Sequence, residues 1–418
     1  MVRAAIDAVG ARRVIDRALA DQEIAPLLLT RPTHVIAVGK AAAAMAAAYH
    51  QAASVRPAAM LAIGTHGREL LPAGIEWIEA GHPFPDARSQ AAGDRAVAIA
   101  QRVPSGEVLV ILLSGGASAL MAAPLDGISL EEKIATTRLM MNSGADIHAL
   151  NTVRRHLSKV KGGRLAAECV GMTITIALSD VVGDDLCAIG SGPGVPDPTT
   201  WNDAAAALDR YGGEAHAPSV RFLVARGKSG KLPDTPKAGD SSMRRARAKV
   251  IGSRLNAMEG ARDAALALGY RTMIDWDAVT GEARESAPKW LERVQRAAQN
   301  ATPPMCFITS GETTVTVTGN GRGGRNLEFA LALAEPLSSL ASCSVASVGT
   351  DGIDGTSGVA GAIVDSTTLL RARERGLEAP GKYLATNDSL AFFAPLDDAV
   401  RLGRTDTNVG DLQVALID

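Results

Sequence analysis

Two short polar stretches, each placed straight after an apolar run, hold the residues best able to do chemistry. Ser114-Gly115-Gly116-Ala117-Ser118 follows Val108 to Leu113, and Gly39-Lys40-Ala41 follows Val35-Ile36-Ala37-Val38. In the first, two glycines let the backbone turn with its N–H groups pointing one way, and two serines add hydroxyl donors. That combination suits a phosphate or a carboxylate. A tight turn between strand and helix uses the same small residues, so the segment alone leaves both readings open. In the second, a lysine stands at the entrance to an alanine-rich helix, where its charge opposes the helix dipole unless an anion lies between them. Lys40 does not complete a phosphate-binding G-x-x-x-x-G-K-[ST] loop, because position 34, where that pattern requires glycine, is His34.

Two aspartates stand in comparable places. Asp180 follows the expected buried strand Met172 to Leu178, and Asp351 follows the expected buried strand Ser344 to Val348, within Gly349-Thr350-Asp351-Gly352-Ile353-Asp354-Gly355. Carboxylates at the carboxyl ends of parallel strands occupy the ligand-binding edge of open α/β sheets, where they can hold Mg²⁺ or accept a proton. Aspartates among glycines also make ordinary loops. The second loop is not an EF-hand, since Ala362 stands where the bidentate acid is needed. Arg154, Arg155, Lys159, Lys161 and Arg164 crowd one segment, which reads as a solvated helical face or as one wall of the anion-binding turn. His82, in the proline-held loop Gly81-His82-Pro83-Phe84-Pro85-Asp86, reads as a structural hydrogen-bonding partner. Gly319-Asn320-Gly321-Arg322-Gly323-Gly324 matches G-x-G-x-x-G between an expected strand, Thr313 to Thr318, and an expected helix, Leu327 to Leu333. Its late position, the lack of a following βαβ unit with a ribose-binding acid, and the charge of Arg325 all weigh against a dinucleotide.

The elements that must position these residues are those of an α/β protein. A chain of 418 residues exceeds what one core usually supports, and its 46% hydrophobic content is enough for two. A net charge of −2 without a basic tract excludes a nucleic-acid footprint. No apolar run is long enough for a membrane span, and Met1 to Ala20 lacks the continuous apolar stretch of a signal peptide. Four widely spaced cysteines give neither a zinc ribbon nor a disulfide framework, which points to a reducing cytoplasm. The Lys/Gly/Pro/Ser-rich stretch 227–240 reads as the boundary between domains spanning 1–235 and 240–418. Beyond it, strand Lys249 to Ile251, a helix from Asn256 to Leu268 and strand Arg271 to Ile274 read as a new βαβ unit, followed by a helix over 281–300. Met305 to Thr309 then runs into Ser310-Gly311-Glu312, an expected turn that echoes the one after Leu113.

In this order, Val-Gly-Lys-Ala (38–41), Gly-His-Pro-Phe-Pro-Asp (81–86), Ser-Gly-Gly-Ala-Ser-Ala-Leu (114–120), Asn-Thr-Val-Arg-Arg-His-Leu-Ser-Lys-Val-Lys-Gly-Gly-Arg-Leu (151–165), Leu-Ser-Asp-Val-Val-Gly-Asp (178–184), Ser-Gly-Pro (191–193), Gly-Gly-Arg-Asn (323–326) and Thr-Asp-Gly-Ile-Asp-Gly (350–355) resemble the class II glycerate kinases. This is the glycerate 2-kinase family whose C-terminal half is the MOFRL domain. The resemblance implies an N-terminal Rossmann-like three-layer α/β sandwich, a second α/β domain of MOFRL type and an active site in the interdomain cleft. It implies ATP-dependent phosphorylation of D-glycerate at the C2 hydroxyl, with Mg²⁺. Its catalytic basic positions fall on Lys40 and Arg325. Beside them Asp180 reads as a further catalytic group, Ser114, Gly115, Gly116, Ala117 and Ser118 as binding either nucleotide phosphate or the substrate carboxylate, and Arg154, Lys159, Gly323, Gly324, Asn326 and Asn408 as further binding residues. Asp180 and Asp351 read as carboxylates that coordinate Mg²⁺, or one of them as the base that orients the glycerate hydroxyl. The partners it implies are D-glycerate and a nucleotide, with a homodimer left open. The chain departs from the family at 403–411, where Arg404 and Asp406 replace a rigid and a small residue, and at Leu327, where glutamine is usual. Two rival readings are an NAD(P)H-dependent hydroxypyruvate reductase using Gly319 to Gly324, and a non-catalytic protein that binds a sugar acid or nucleotide.

Overall fold

The computed structural model describes residues 1–299, 301–340 and 342–418. They form two compact units, one of residues 11–251 and one of residues 1–10 with 252–418.

The first unit is built on β1 (Thr33–Val38), β2 (Ala59–Gly64), β3 (Glu76–Glu79), β4 (Val108–Leu113), β5 (Met172–Leu178) and β6 (Ala246–Gly252), in the order β3-β2-β1-β4-β5-β6. The pairs from β3 to β5 are parallel. Every residue of β4 is buried, as a central parallel strand covered on both faces requires. Ile36, Val38, Leu109 and Ile111 pack with Ala92, Ala96 and Ile99 of the helix Ala87–Ala100, and the helix Ala42–Ala52 lies against β1, β2 and β4. From β1 the chain winds outward through β2 and β3, then returns to the opposite side of β1 as β4. This reversal makes a Rossmann-like, doubly wound sheet with its switch point between β1 and β4.

The expected boundary at 235–240 is not where the units part. Stretch 227–240 belongs to the first unit: Trp201 Nε1 donates to the Pro233 carbonyl at 3.0 Å, the Asp197 amide donates to the Pro236 carbonyl at 2.8 Å, and His156 Nε2 lies 2.9 Å from Asp234 Oδ1. The segment has little apolar content, but its polar groups are tied to a packed helical layer. Lys249 to Ile251 accordingly sits in β6, beside β5, and does not open a βαβ unit of the second domain.

The second unit carries β7 (Arg271–Ile274), β8 (Val279–Glu282), β9 (Met305–Thr314), β10 (Cys343–Gly349), β11 (Gly361–Asp365), β12 (Ala399–Val400) and β13 (Asp411–Ile417). The order is β12-β11-β10-β13-β9-β7, with β8 also paired to β9. Only β7 and β8 run parallel to β9, and the other pairs are antiparallel. Trp290 of the helix Ala283–Gln299 meets Phe307 and Phe329 edge-on and donates Nε1 to Thr309 Oγ1 at 2.7 Å. Asn300, the last residue of the helix expected there, lies outside the described residues. Two expectations fail along β9. Ser310-Gly311-Glu312 is no turn, because the strand runs straight through it, and a Cβ on Gly311 would lie 2.0 Å from the Val279 carbonyl oxygen. The strand expected to reach Thr318 ends at Thr314. At the other end of the chain, the helix Val2–Ala8 packs on the helix Arg254–Ala267, where a Cβ on Gly260 would come within 2.5 Å of Ala8 Cβ.

Candidate functional site

The register of β1 on β4 sets Val38 beside Leu113, so the two polar stretches leave the sheet side by side at the switch point. The Ser114 amide donates to the Val38 carbonyl at 3.0 Å and the Lys40 amide to the Gly115 carbonyl at 2.8 Å. Ser114 is fully buried, and its Oγ accepts from the Ala41 amide at 3.1 Å. Its hydroxyl therefore ties the two loops together and does not face a ligand. Gly39 has φ +128°, and a Cβ there would lie 2.1 Å from Ser114 Oγ, so only glycine lets the loops approach this closely. Gly116, at φ +83°, opens the short helix Ala117–Leu120; a Cβ on it would lie 3.1 Å from the His82 ring and 3.6 Å from Lys40 Cγ. His82 thus stands over the turn, a placement not read from sequence. Burial, and then the charge of Lys40, lower its pKa.

The far end of the turn leads into a polar interior. Ser118 Oγ lies 2.6 Å from Ser191 Oγ, which donates to Asn151 Oδ1 at 3.2 Å, and Lys161 Nζ donates to the Ser118 carbonyl at 2.8 Å. Lys161 is only 2% exposed and Lys133 only 5% exposed. Burial, reinforced by Arg154, pushes Lys133 down to about 7. Burial with the charges of Lys133 and Arg154 holds Lys161 well below its ordinary value. The segment 154–164 is therefore not a solvated face. Arg155 forms a buried ion pair with Asp197 at 3.1 Å, whereas Lys159 reaches outward to exposed Asp126 at 2.6 Å. Lys161, not Lys159, is the lysine at the turn. Lys133 was missed because it lies in a charged-looking helix, Leu130–Asn142, far from any glycine-rich signal.

Asp180 stands two residues past the end of β5, at the same edge of the sheet as Lys40 and the turn.

In the second unit Arg325 is the first residue of the helix Arg325–Leu337. Its Nε lies 2.8 Å from Asp411 Oδ2 and its Nη1 2.8 Å from Glu312 Oε1. Nη2 takes part in neither pair. Burial lowers its basicity, but Asp411 and Glu312 outweigh this and raise it overall. Asn326 donates Nδ2 to Asp411 Oδ1 at 2.8 Å and accepts from Ser347 Oγ at 2.9 Å. Asp354 caps the helix, accepting from the Asn326 and Leu327 amides at 3.1 and 2.8 Å. Burial pushes Asp354 up to about 7 and Asp411 up to about 6. Asp351 Oδ1 accepts from the Ile353 amide at 3.2 Å. The unusual loop 403–411 is held by Thr350, whose Oγ1 donates to the Gly410 carbonyl and accepts from the Val409 amide. Asn408 is buried in that loop, its Oδ1 accepting from the Gly410 amide at 3.3 Å.

The glycines of 319–324 are not a dinucleotide cradle. Added Cβ atoms would lie 2.2 Å from the Thr386 carbonyl oxygen at Gly319, 2.3 Å from Asp388 Cβ at Gly321, 2.4 Å from Ser389 Oγ at Gly323 and 2.4 Å from Asp354 Cγ at Gly324. These glycines are there to let protein pack on protein. Among the described residues no group of three or more His, Cys, Asp or Glu side chains is placed to hold a metal, and no helix is long and apolar enough to cross a membrane.

Comparison with known proteins agrees with this architecture. Residues 1–224 match a domain of unknown function (DUF4147), and residues 305–411 match the MOFRL family. A glycerate 2-kinase of Pyrococcus horikoshii is 39% identical over 92% of this chain and 87% of its own, and a D-glycerate 2-kinase of Thermotoga maritima is 34% identical over 96% and 94%. A relative from Agrobacterium vitis, 38% identical over 97% and 93%, carries a provisional hydroxypyruvate reductase name. The crystal structure of a Thermotoga maritima glycerate kinase, 35% identical, superposes with a TM-score of 0.89 over 100% of this chain and 97% of that one. With both family matches in sequence order and relatives of this likeness along nearly its whole length, the chain belongs to the class II glycerate kinases, the glycerate 2-kinase family that carries a MOFRL domain.

Proposed function

We propose that this protein transfers the γ-phosphoryl group of ATP to the C2 hydroxyl of D-glycerate, giving 2-phosphoglycerate and ADP. The observation that carries the reading is the locking of the Lys40 loop to the Ser114–Ser118 turn at the switch point of a doubly wound sheet. Open α/β sheets bind ligands at that point, and an anion there meets both backbone donors and a lysine.

In the transfer the C2 oxygen bonds to the γ-phosphorus as the bond to the bridging oxygen breaks. Charge spreads over the equatorial oxygens, so cations matter more than covalent chemistry. Lys40 supplies one. Arg325 supplies another, with Asp411 and Glu312 fixing Nε and Nη1 and so setting the direction of Nη2. Asp180 and Asp351 are the carboxylates we assign to Mg²⁺, or one of them to the hydroxyl proton. Mg²⁺ commonly uses one or two protein carboxylates, with water and phosphate oxygens completing its shell. Bound there, it would neutralise charge on the phosphate oxygens. All four cysteines are unpaired, which supports a reducing, cytoplasmic setting.

The test is product identification by phosphorus NMR after incubation with ATP, Mg²⁺ and D-glycerate. Formation of 2-phosphoglycerate is expected, without NADH oxidation when hydroxypyruvate is offered. Folded protein that yields 3-phosphoglycerate, or no phosphoester, would overturn the reading.

A further inference from the structure

We propose that Lys133, Arg154 and Lys161 form a pocket that takes the carboxylate of the acid substrate, beside the Ser114–Ser118 turn. The proposal rests on the kinase reading only for the identity of the acid.

Three cations converge here. The charge of Arg154 acts on Lys133, and those of Lys133 and Arg154 act on Lys161. Among the described residues no carboxylate forms an ion pair with any of the three. Lys133 Nζ is buried without a hydrogen-bond partner, and so is the hydroxyl of Thr136, one helical turn further along. A buried ammonium without a counterion is strongly unfavourable, and two more cations beside it make it worse. Methionine or leucine would fill the same space and stabilise the fold, so charge kept at three adjoining places is explained by an anion that binds among them.

The surroundings select a carboxylate. Lys133 and Lys161 are enclosed, and only Arg154 is partly exposed, so an acid reaches the two ammonium groups past the guanidinium. The guanidinium offers a planar carboxylate a bidentate fork. A phosphoryl group in transfer must instead stay open to the attacking oxygen. Lys161 is fixed to the Ser118 carbonyl, so a carboxylate held here keeps the neighbouring C2 hydroxyl close to the turn.

The test measures binding of D-glycerate to the whole protein by calorimetry, with and without ADP, for the wild type, Lys133→Met and Lys161→Met. Glycerol and inorganic phosphate serve as controls. Expected are loss of glycerate affinity by roughly ten- to hundredfold in each variant, the effect of removing one hydrogen bond to a charged group, unchanged ADP affinity, and a melting temperature that does not fall. Glycerate affinity unchanged in both variants, affinity lost for ADP in place of glycerate, inorganic phosphate bound in preference to glycerate, or no glycerate binding by the wild type would each overturn the pocket. Wild type that binds glycerate through these lysines without phosphorylating it leaves the pocket standing and removes the kinase reading. Wild type that makes 2-phosphoglycerate with a KM untouched by either exchange does the reverse.

Discussion

Arg325→Ala tests whether this arginine serves chemistry or only the fold, since its partner Asp411 is fully buried. Breaking a buried pair commonly costs about 3–5 kcal/mol when the remaining charge has no escape. Asp411 has one, because it can take up a proton. Its pKa already stands at about 6 against an ordinary 3.8, and at about 1.36 kcal/mol per pH unit its ionised form costs the fold about 3 kcal/mol at pH 7. Without Arg325 the pKa rises further. The cost at pH 7 cannot exceed that of protonating the group, the gap from 3.8 to neutrality, or about 4 kcal/mol. Through Asp411 the exchange therefore adds only about 1 kcal/mol at pH 7. The sign follows from a folded-state pKa above the unfolded one. The folded state holds more protons, so stability rises as pH falls, and by pH 5 Asp411 is largely protonated in both proteins. Urea denaturation should find the variant about 1 kcal/mol less stable at pH 7 and nearly equal at pH 5. Its kcat should be down by about 10²–10³ at both. A loss of 3 kcal/mol or more that does not change between these pH values, or a near-normal kcat, would refute the account.

Lys40→Ala should lower kcat by a similar ~10²–10³ while leaving the urea midpoint almost unchanged, and a near-normal rate would remove Lys40 from the transfer step. Gly116→Ala should destabilise by about 1–2 kcal/mol from its left-handed backbone alone, and it should also raise the KM for an anionic substrate, because the new methyl would push on the His82 ring; thermal melts and initial rates read the two effects. For Lys133→Met the melting temperature should rise most at or below pH 7. A lysine whose folded pKa is lowered to about 7 from 10.5 weakens the fold while it is forced to carry charge, and that penalty shrinks as pH rises from 7 towards 10.5. Arg154 and Lys161 are the charges facing it; Arg154 keeps its charge over that range, and Lys161, itself held well below its ordinary value, adds a penalty of the same sign. Equal melting temperatures for the two proteins at pH 6 would remove the burial penalty assigned to Lys133.

The central strands were legible because they are buried almost throughout. Val108–Leu113 is an unbroken apolar run and Met172–Leu178 alternates apolar residues with threonine, and both are strands with those limits. The turn after Leu113 and the lysine after Gly39 could also be read, since small residues straight after such a strand are its usual exit. Long-range pairing left no such mark. Asp411, Asp354 and Glu312 hold the Arg325 helix from distant parts of the chain, and Ser310-Gly311-Glu312 looks like a turn only until β8 is seen lying against Gly311. The cations near 154–164 misled for the same reason. Helical spacing alone cannot say that Lys159 points outward and Lys161 inward; Asp126 and the Ser118 carbonyl decide that.

The helix Val2–Ala8 belongs to the unit whose remaining residues begin at Gly252. That unit is therefore written in two pieces, with the whole first unit inserted between them. During synthesis the first ten residues emerge long before the helix Arg254–Ala267 that receives them. Closing so long a loop carries an entropy penalty that grows only slowly with its length, and a first unit folded early would shorten it further. A fragment beginning at residue 252 would instead leave bare the helix face around Gly260, which Ala4 and Ala8 normally cover. The MOFRL half is thus not an independent module to be cut at its apparent start, because residues that precede the whole first unit in sequence complete its surface.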